Sequence, residues 1–372
     1  MSAKARFYLP SLDGFRAIAA GIVFLGHAGL GKVIPGGLGV TIFFFLSGFL
    51  ITTLLRKEFE ASGEISLKGF YLRRIYRILP PMYFVLALIT TLTLTGVIAG
   101  RLSVVGMLAQ LFQFTNYYII MAQDVRLPPF TNIFWSLAVE EHFYLLLPLS
   151  LLLCLRTWNY KRTAFLFLGV CVVVLCWRLI LVYGYDVSEH RTYYATDTRL
   201  DSLLFGCIMA LWNNPALDTT SAVATPSYAP VLALAGGLCL LVATLLIRDS
   251  GFRETWRYTL QGIAVAPIFW TAIKNPHWII FQPLNWKLTR AFGLISYSFY
   301  LTHVFCIDVV ARLLGSSPLV NGAGAFLMTT AFATLMYFFI EKPFARLKAR
   351  HTAVPITVGS VAAGKGLSTL GT

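Results

Sequence analysis

Long apolar runs, most of them about the length of a bilayer crossing and separated by short polar or basic segments, fill most of the chain. The first, Leu12 to Gly29 (LDGFRAIAAGIVFLGHAG), is interrupted by Asp13, Arg16 and His27. A second runs from Pro35 to Leu55 after a Gly-rich start, and a third opens at Pro80 and Pro81 and reaches about Gly100. Leu102 to Met121 is apolar enough to cross but carries Gln110, Gln113, Thr115, Asn116 and two tyrosines. Further runs cover 133–155, 163–184, 200–213, 229–247, 257–274, 292–313 and 319–340, the one from Leu200 being short for a crossing.

Charge orients these runs. Between Arg56 and Leu79, Arg56, Lys57, Lys68, Arg73, Arg74 and Arg77 outnumber the glutamates, which places the segment and the N-terminus in the cytoplasm. If 102–121 crosses, the basic loop Arg156 to Arg162 falls outside, and so does the C-terminal EKPFARLKARH. If it dips in and returns, both fall inside, as the charge rule requires. The sequence therefore predicts an all-α transmembrane bundle of about ten spans with a re-entrant segment near 102–132 and both termini cytoplasmic. Residues 1–345 form the membrane domain. Residues 346–372 form a cytoplasmic tail, small, polar and without periodicity after His351, that is expected to be disordered. Asn213 to Pro230 reads as a polar linker.

Composition agrees. The 372 residues are 57% hydrophobic and 12% charged, with a mean hydropathy of +0.72, which excludes a water-soluble domain. The net charge of +14 sits in segments between apolar runs, so it reflects membrane orientation and no nucleic-acid partner is expected. Cys154, Cys171, Cys176, Cys207, Cys239 and Cys306 form no CxxC pair and read as small core residues, with neither disulfides nor a metal site. The basic Met1 to Arg6 precedes a run without a small-residue cleavage site, so that run is expected to be a retained helix and not a signal peptide.

Ionisable groups inside the runs are the candidates for chemistry. Arg16 and His27 are eleven residues apart, which on a helix brings them to within about 20° of one face and separates them by roughly 16 Å along the axis. His27 alone fits a hydrogen-bonded core histidine as well as a base. Glu140 follows Ser136 by four residues on one helix face, with Trp135 at the interface. A carboxylate that positions a histidine is what general-base chemistry requires, whereas Glu141 equally suits a structural role. Arg178, Asp308 and Arg312 read as helix-gluing or snorkelling residues. Arg73, Arg74 and Arg77 concentrate three guanidinium groups at the cytoplasmic surface, suited to anionic lipid or to a phosphate-rich ligand. No GxxxxGK[ST] or GxGxxG loop points to ATP or a dinucleotide.

Seven segments in order, LDGFRAIAA with Arg16 and His27, GGLGVTIFFFLSGFLIT, FYLRRIYRILPPMY, FWSLAVEEHFYLLLP, RLDSLLFG, ISYSFYLTH and YFFIEKPF, resemble acyltransferase family 3 over residues 9 to 345. That family comprises integral-membrane O-acyltransferases acting on sugars of lipopolysaccharide, other glycans, peptidoglycan and some secondary metabolites. His142 departs from the glutamine of many members without touching a catalytic assignment. The resemblance implies a cell inner-membrane enzyme with no permanently bound cofactor, using acetyl-CoA or another acyl-CoA from the cytoplasm and a sugar or glycoconjugate acceptor.

It implies His27, Glu140 and Arg16 as catalytic residues and Arg74 and Arg77 as the acyl-CoA site, with membrane lipid around them; Arg73, in the same arginine segment, is expected to join that site. Trp135, Ser136, Tyr144, Asp201 and His303 are candidates for contacting the acceptor. His27 is expected to act as general base or as an acyl-histidine intermediate, oriented by Glu140. Many relatives carry a further periplasmic domain, so transfer is expected to finish in the membrane domain or with a separate partner. The competing class is a transporter or flippase that moves a glycan precursor or acyl group without bond formation, and internal repeats that would favour it are not evident. A sensor or scaffold that only binds lipid is the third.

Overall fold

With no water to receive their backbone hydrogen bonds, apolar crossings must be helical or form closed barrels. The computed structural model, which describes residues 8–122, 124–218, 228–315 and 317–351, is accordingly all-helical, with no strand among the described residues. The first eight helices are α1 Pro10–Leu25, α2 Gly36–Ser62, α3 Leu67–Leu94, α4 Val104–Leu111, α5 Thr115–Met121, α6 Trp135–Thr157, α7 Tyr160–Leu179 and α8 Glu189–Tyr194. The second eight are α9 Thr196–Leu211, α10 Ala229–Leu246, α11 Ser250–Glu254, α12 Trp256–Lys274, α13 Gln282–Asn285, α14 Lys287–Leu314, α15 Pro318–Met336 and α16 Lys342–His351.

Seven segments, containing α2, α3, α6, α7, α10, α14 and α15, are long and apolar enough to cross a membrane. Three other expected crossings differ. α1 and α9 have 16 residues each, short of the roughly 20 a bilayer needs, and α12 carries Arg257, Thr259, Gln261 and Thr271. α4 and α5, of 8 and 7 residues, break the 102–121 run between them, so neither spans by itself.

The third helix starts earlier than expected. α3 begins at Leu67, where Ser66 Oγ accepts from the Gly69 N–H (3.2 Å), and continues through Pro80 and Pro81. The arginine segment is thus the first half of the same helix. Tyr297 OH donates to the Ile78 carbonyl (2.7 Å) beside the proline pair, where missing N–H donors weaken the helix ladder.

α2 lies at the centre, with 78% of its apolar stretch buried against 17% for α10 and 22% for α15, which face outward. Glycines allow its backbone to approach α9: a Cβ on Gly48 would strike the Leu203 carbonyl, and one on Gly206 the Phe45 carbonyl. Packing between helices in lipid depends on such small residues because burial of apolar surface supplies no net drive there.

The cysteines are unpaired. Cys171, Cys207 and Cys306 are buried as expected, whereas Cys176 and Cys239 are exposed on the outward faces of α7 and α10, where lipid tolerates them. The start of the polar linker is fixed: Arg56 binds Asp218 bidentately, and Asn214 Nδ2 donates to Thr53 Oγ1 (2.9 Å). Its residues 219–227 lie outside the described residues, as does the tail after His351, α16 carrying the helix through 346–351.

Candidate active site

Two adjoining cavities occupy the core between α1, α2, α3, α6 and α14. The first is lined by Arg16, Ser47, Arg74, Arg77, Ser136, Glu140 and Tyr144, so three guanidinium groups face one carboxylate. Helical spacing builds it. Arg74 and Arg77 are at i, i+3 on α3, and Ser136, Glu140 and Tyr144 form an i, i+4, i+8 stripe on α6. Arg16 is held by Asp13 (Nη1 to Oδ1, 2.7 Å), which also accepts from Tyr8 OH at 2.9 Å. Glu140 accepts from Ser47 Oγ and from Tyr144 OH, each at 3.0 Å, and the Arg74 guanidinium lies 5.4 Å from the Tyr144 ring centre.

The second cavity contains His27 with Trp135, Tyr193, Tyr194, Asn132 and glycines of the α1–α2 connection. It holds no arginine, so Arg16 and His27 line different chambers although their spacing places them on one face of a regular helix. They lie at different depths, about 16 Å apart along the helix axis. His27 belongs to a π-helical turn, Gly26–Leu30, whose backbone departs from helical only beyond His27, at Ala28 and at Gly29 with φ +96°, a left-handed conformation suited to glycine.

The partner of His27 is His303 of α14. His303 Nε2 lies 3.2 Å from His27 Nδ1, while His303 Nδ1 is 2.7 Å from the Tyr300 carbonyl and His27 Nδ1 is 3.0 Å from the Val23 carbonyl. Carbonyl oxygens only accept, so both Nδ1 atoms carry protons. His303 Nε2 is then a bare acceptor, and the single His27 Nδ1–H is shared between it and the Val23 carbonyl.

Several expected placements are corrected. Glu140 does not touch His27: its two oxygens are engaged by Ser47 and Tyr144 in the arginine cavity. Arg73 leaves the arginine cluster, pairing with Glu58 at 2.9 Å, because it sits about 100° around α3 from Arg74. Asp201 lines neither of these two cavities; it forms a fully buried ion pair with Arg178 (2.7 Å) and accepts from Thr259, joining α7, α9 and α12. Arg178 is thus a helix-gluing residue, whereas Asp308 and Arg312 pair with each other at 2.6 Å within α14, a bridge internal to one helix.

Trp135 lines the histidine cavity and Ser136 and Tyr144 the arginine cavity. Sequence reasoning missed Ser47, Tyr193, Tyr194 and above all Tyr300, which lines both cavities. Tyr300 is one helical turn before His303, a spacing that would have placed it on the same face.

An apolar bundle with a cationic chamber beside a histidine chamber defines an integral-membrane protein equipped for anionic ligands. Comparison with known proteins makes this specific: the chain belongs to acyltransferase family 3, whose family model, described as an acyltransferase domain, matches residues 9–338. It is 32% identical over 357 residues to a Staphylococcus aureus (strain COL) protein named "Putative O-acetyltransferase SACOL0978", covering 92% of this chain and 58% of that protein. It is 31% identical over 352 residues to O-acetyltransferase OatA of S. aureus (strain NCTC 8325 / PS 47), covering 90% and 57% respectively. The chain thus spans somewhat over half the length of these relatives. No solved structure matches it.

Proposed function

We propose that the chain is a membrane O-acyltransferase that moves an acetyl group from cytoplasmic acetyl-CoA to a hydroxyl of a sugar or glycoconjugate. The observation that carries this reading is the juxtaposition of a chamber with three arginines and a chamber with His27, in a family whose relatives are named O-acetyltransferases. Arg74 and Arg77 hold CoA phosphates, since guanidinium forks match phosphate oxygens. Arg16 extends the cationic lining inward. Glu140 balances the guanidinium charge and fixes Ser47 and Tyr144.

The acceptor hydroxyl enters the His27 chamber, whose Trp135, Tyr193 and Tyr194 offer flat apolar faces to a sugar ring. His27 Nε2 removes the hydroxyl proton as the oxygen bonds to the thioester carbonyl carbon. The carbon–sulfur bond then breaks, and the CoA sulfur takes the proton from the His27 imidazolium, leaving the ester, free CoA and neutral His27.

In this reading α1, α9 and α12 cross with the seven longer segments, α4 and α5 form the re-entrant segment, and both termini face the cytoplasm of the cell inner membrane. Residues 1–345 act as one membrane acyltransferase domain. The test is acetyl-CoA turnover by purified protein in nanodiscs, with label followed into glycan or water. Turnover that disappears in His27→Ala at equal folded abundance supports the reading. Movement of an unacylated substrate without CoA consumption overturns it in favour of a transporter.

A further inference from the structure

The two chambers share only Val40 and Tyr300 as lining residues, and neither chamber contains both an acyl-CoA-binding arginine and His27. Val40 and Tyr300 thus lie where the two chambers meet, between the arginines and His27. Resting on the acyl-transfer reading above, we propose that the Tyr300 side chain is a movable partition between the donor and acceptor chambers, latched by Ser136, which keeps water on the His27 side from the thioester until an acceptor displaces it.

The geometry separates the part of Tyr300 that moves from the part that does not. Its hydroxyl is latched at the tip, 2.7 Å from Ser136 Oγ and 3.0 Å from the Ile133 carbonyl to which it donates. Its main-chain carbonyl, in contrast, receives His303 Nδ1–H and so helps fix the His303–His27 pair. Rotation about the side-chain torsions breaks the latch and opens the wall while the backbone carbonyl and the histidine pair stay in place.

Val40 does not serve as the door. It is buried, has one side-chain torsion, and follows Gly39, whose Cα lies against the α1 backbone at Ala19 and Val23 so that α2 has no room to withdraw. The latch residues also carry a signal. Ile133, whose carbonyl accepts from Tyr300 OH, lines the acceptor chamber next to Asn132 and Trp135, so a sugar seated there presses on the segment that holds the latch.

The test combines two measurements on the full chain. In vesicles, Ser47→Cys places a thiol in the donor chamber, and its modification by a membrane-impermeant methanethiosulfonate applied from the His27 side is read by mass spectrometry of the residue-47 peptide. Modification is expected to be at least fivefold faster when Tyr300→Ala is combined with Ser47→Cys. In nanodiscs with acetyl-CoA and no sugar, thiol release to water is expected to rise about tenfold in Tyr300→Ala and severalfold in Tyr300→Phe and Ser136→Ala, which keep the wall and lose the latch. Tyr300→Phe keeps the ring volume and guards against misfolding of the alanine variant.

Unchanged labelling in folded Tyr300→Ala overturns the partition whatever the turnover. Faster labelling with acetyl-CoA left intact by every protein upholds the partition and overturns acyl transfer instead.

Discussion

His303 Nε2 stands 3.2 Å from His27 Nδ1, and the Tyr300 and Val23 carbonyls each place a proton on the Nδ1 that faces them. His303 thus holds the His27 ring through the Nδ1–H of His27, the position in which the sequence pattern suggests Glu140. His27→Ala is expected to lower acyl transfer by about 10²–10⁴-fold, the usual contribution of a positioned base. His303→Leu, which removes the acceptor, should lower kcat by a smaller factor with KM for acetyl-CoA unchanged. His303→Gln, whose amide oxygen reaches near the Nε2 position, should recover part of that loss. Steady-state kinetics on the three variants at matched folded abundance decides it; equal losses in His303→Leu and His303→Gln would assign His303 a packing role only.

The arginine triplet divides in space. Arg74 and Arg77 line the chamber proposed to hold acetyl-CoA, whereas Arg73 is paired with Glu58 at 2.9 Å and partly exposed. A hydrogen bond to a charged group is worth about 1.5–3 kcal/mol, so Arg74→Ala or Arg77→Ala should each raise the acetyl-CoA KM by about tenfold or more. Arg73→Ala should change it less than about twofold, because its guanidinium is taken up by Glu58 and does not line the chamber. Titration of CoA binding to each variant checks the order. A result in which Arg73→Ala equals Arg74→Ala would remove the distinction.

What the sequence made legible is what local periodicity determines. The helices α6, α7, α9, α10, α12, α14 and α15 begin and end within a few residues of the expected runs, since apolar length and flanking charge act within one segment. Arg74 with Arg77, and Ser136 with Glu140 and Tyr144, were also readable as faces of single helices. Pairings across the bundle were not. His303 meets His27 over 276 residues of chain, and Asp201 turns to Arg178 and Thr259 because α7, α9 and α12 converge there. The π-helical turn at Gly26–Leu30 also escapes a pattern built on 3.6 residues per turn.

Glu140 offers a prediction of sign. It is a carboxylate among Arg16, Arg74 and Arg77, bound to two hydroxyls and to no histidine. Glu140→Gln keeps the shape but removes a negative charge from the chamber that receives phosphates, so CoA should bind severalfold more tightly, with slower release. Isothermal titration with CoA measures this directly. Weaker CoA binding in Glu140→Gln would show that the carboxylate organises the guanidinium groups more than it opposes the ligand.

Asp201 is expected to matter for folding and not for acceptor recognition. Both it and Arg178 are fully buried, and the pair is completed by the Thr198 carbonyl, which accepts from Arg178 Nη1 at 2.6 Å, and by the Thr259 hydroxyl, which contacts both residues. Truncating one member leaves an uncompensated buried charge and costs about 3–5 kcal/mol in soluble proteins, whereas replacing both by apolar side chains of similar size is often neutral or stabilising. Asp201→Ala should therefore lower the Tm in detergent and the amount of folded protein. Arg178→Met combined with Asp201→Leu should restore much of both, together with acetyl-CoA turnover per folded molecule. A doubly substituted protein that regains its Tm but has lost acyl transfer would place Asp201 back among the residues that handle substrate.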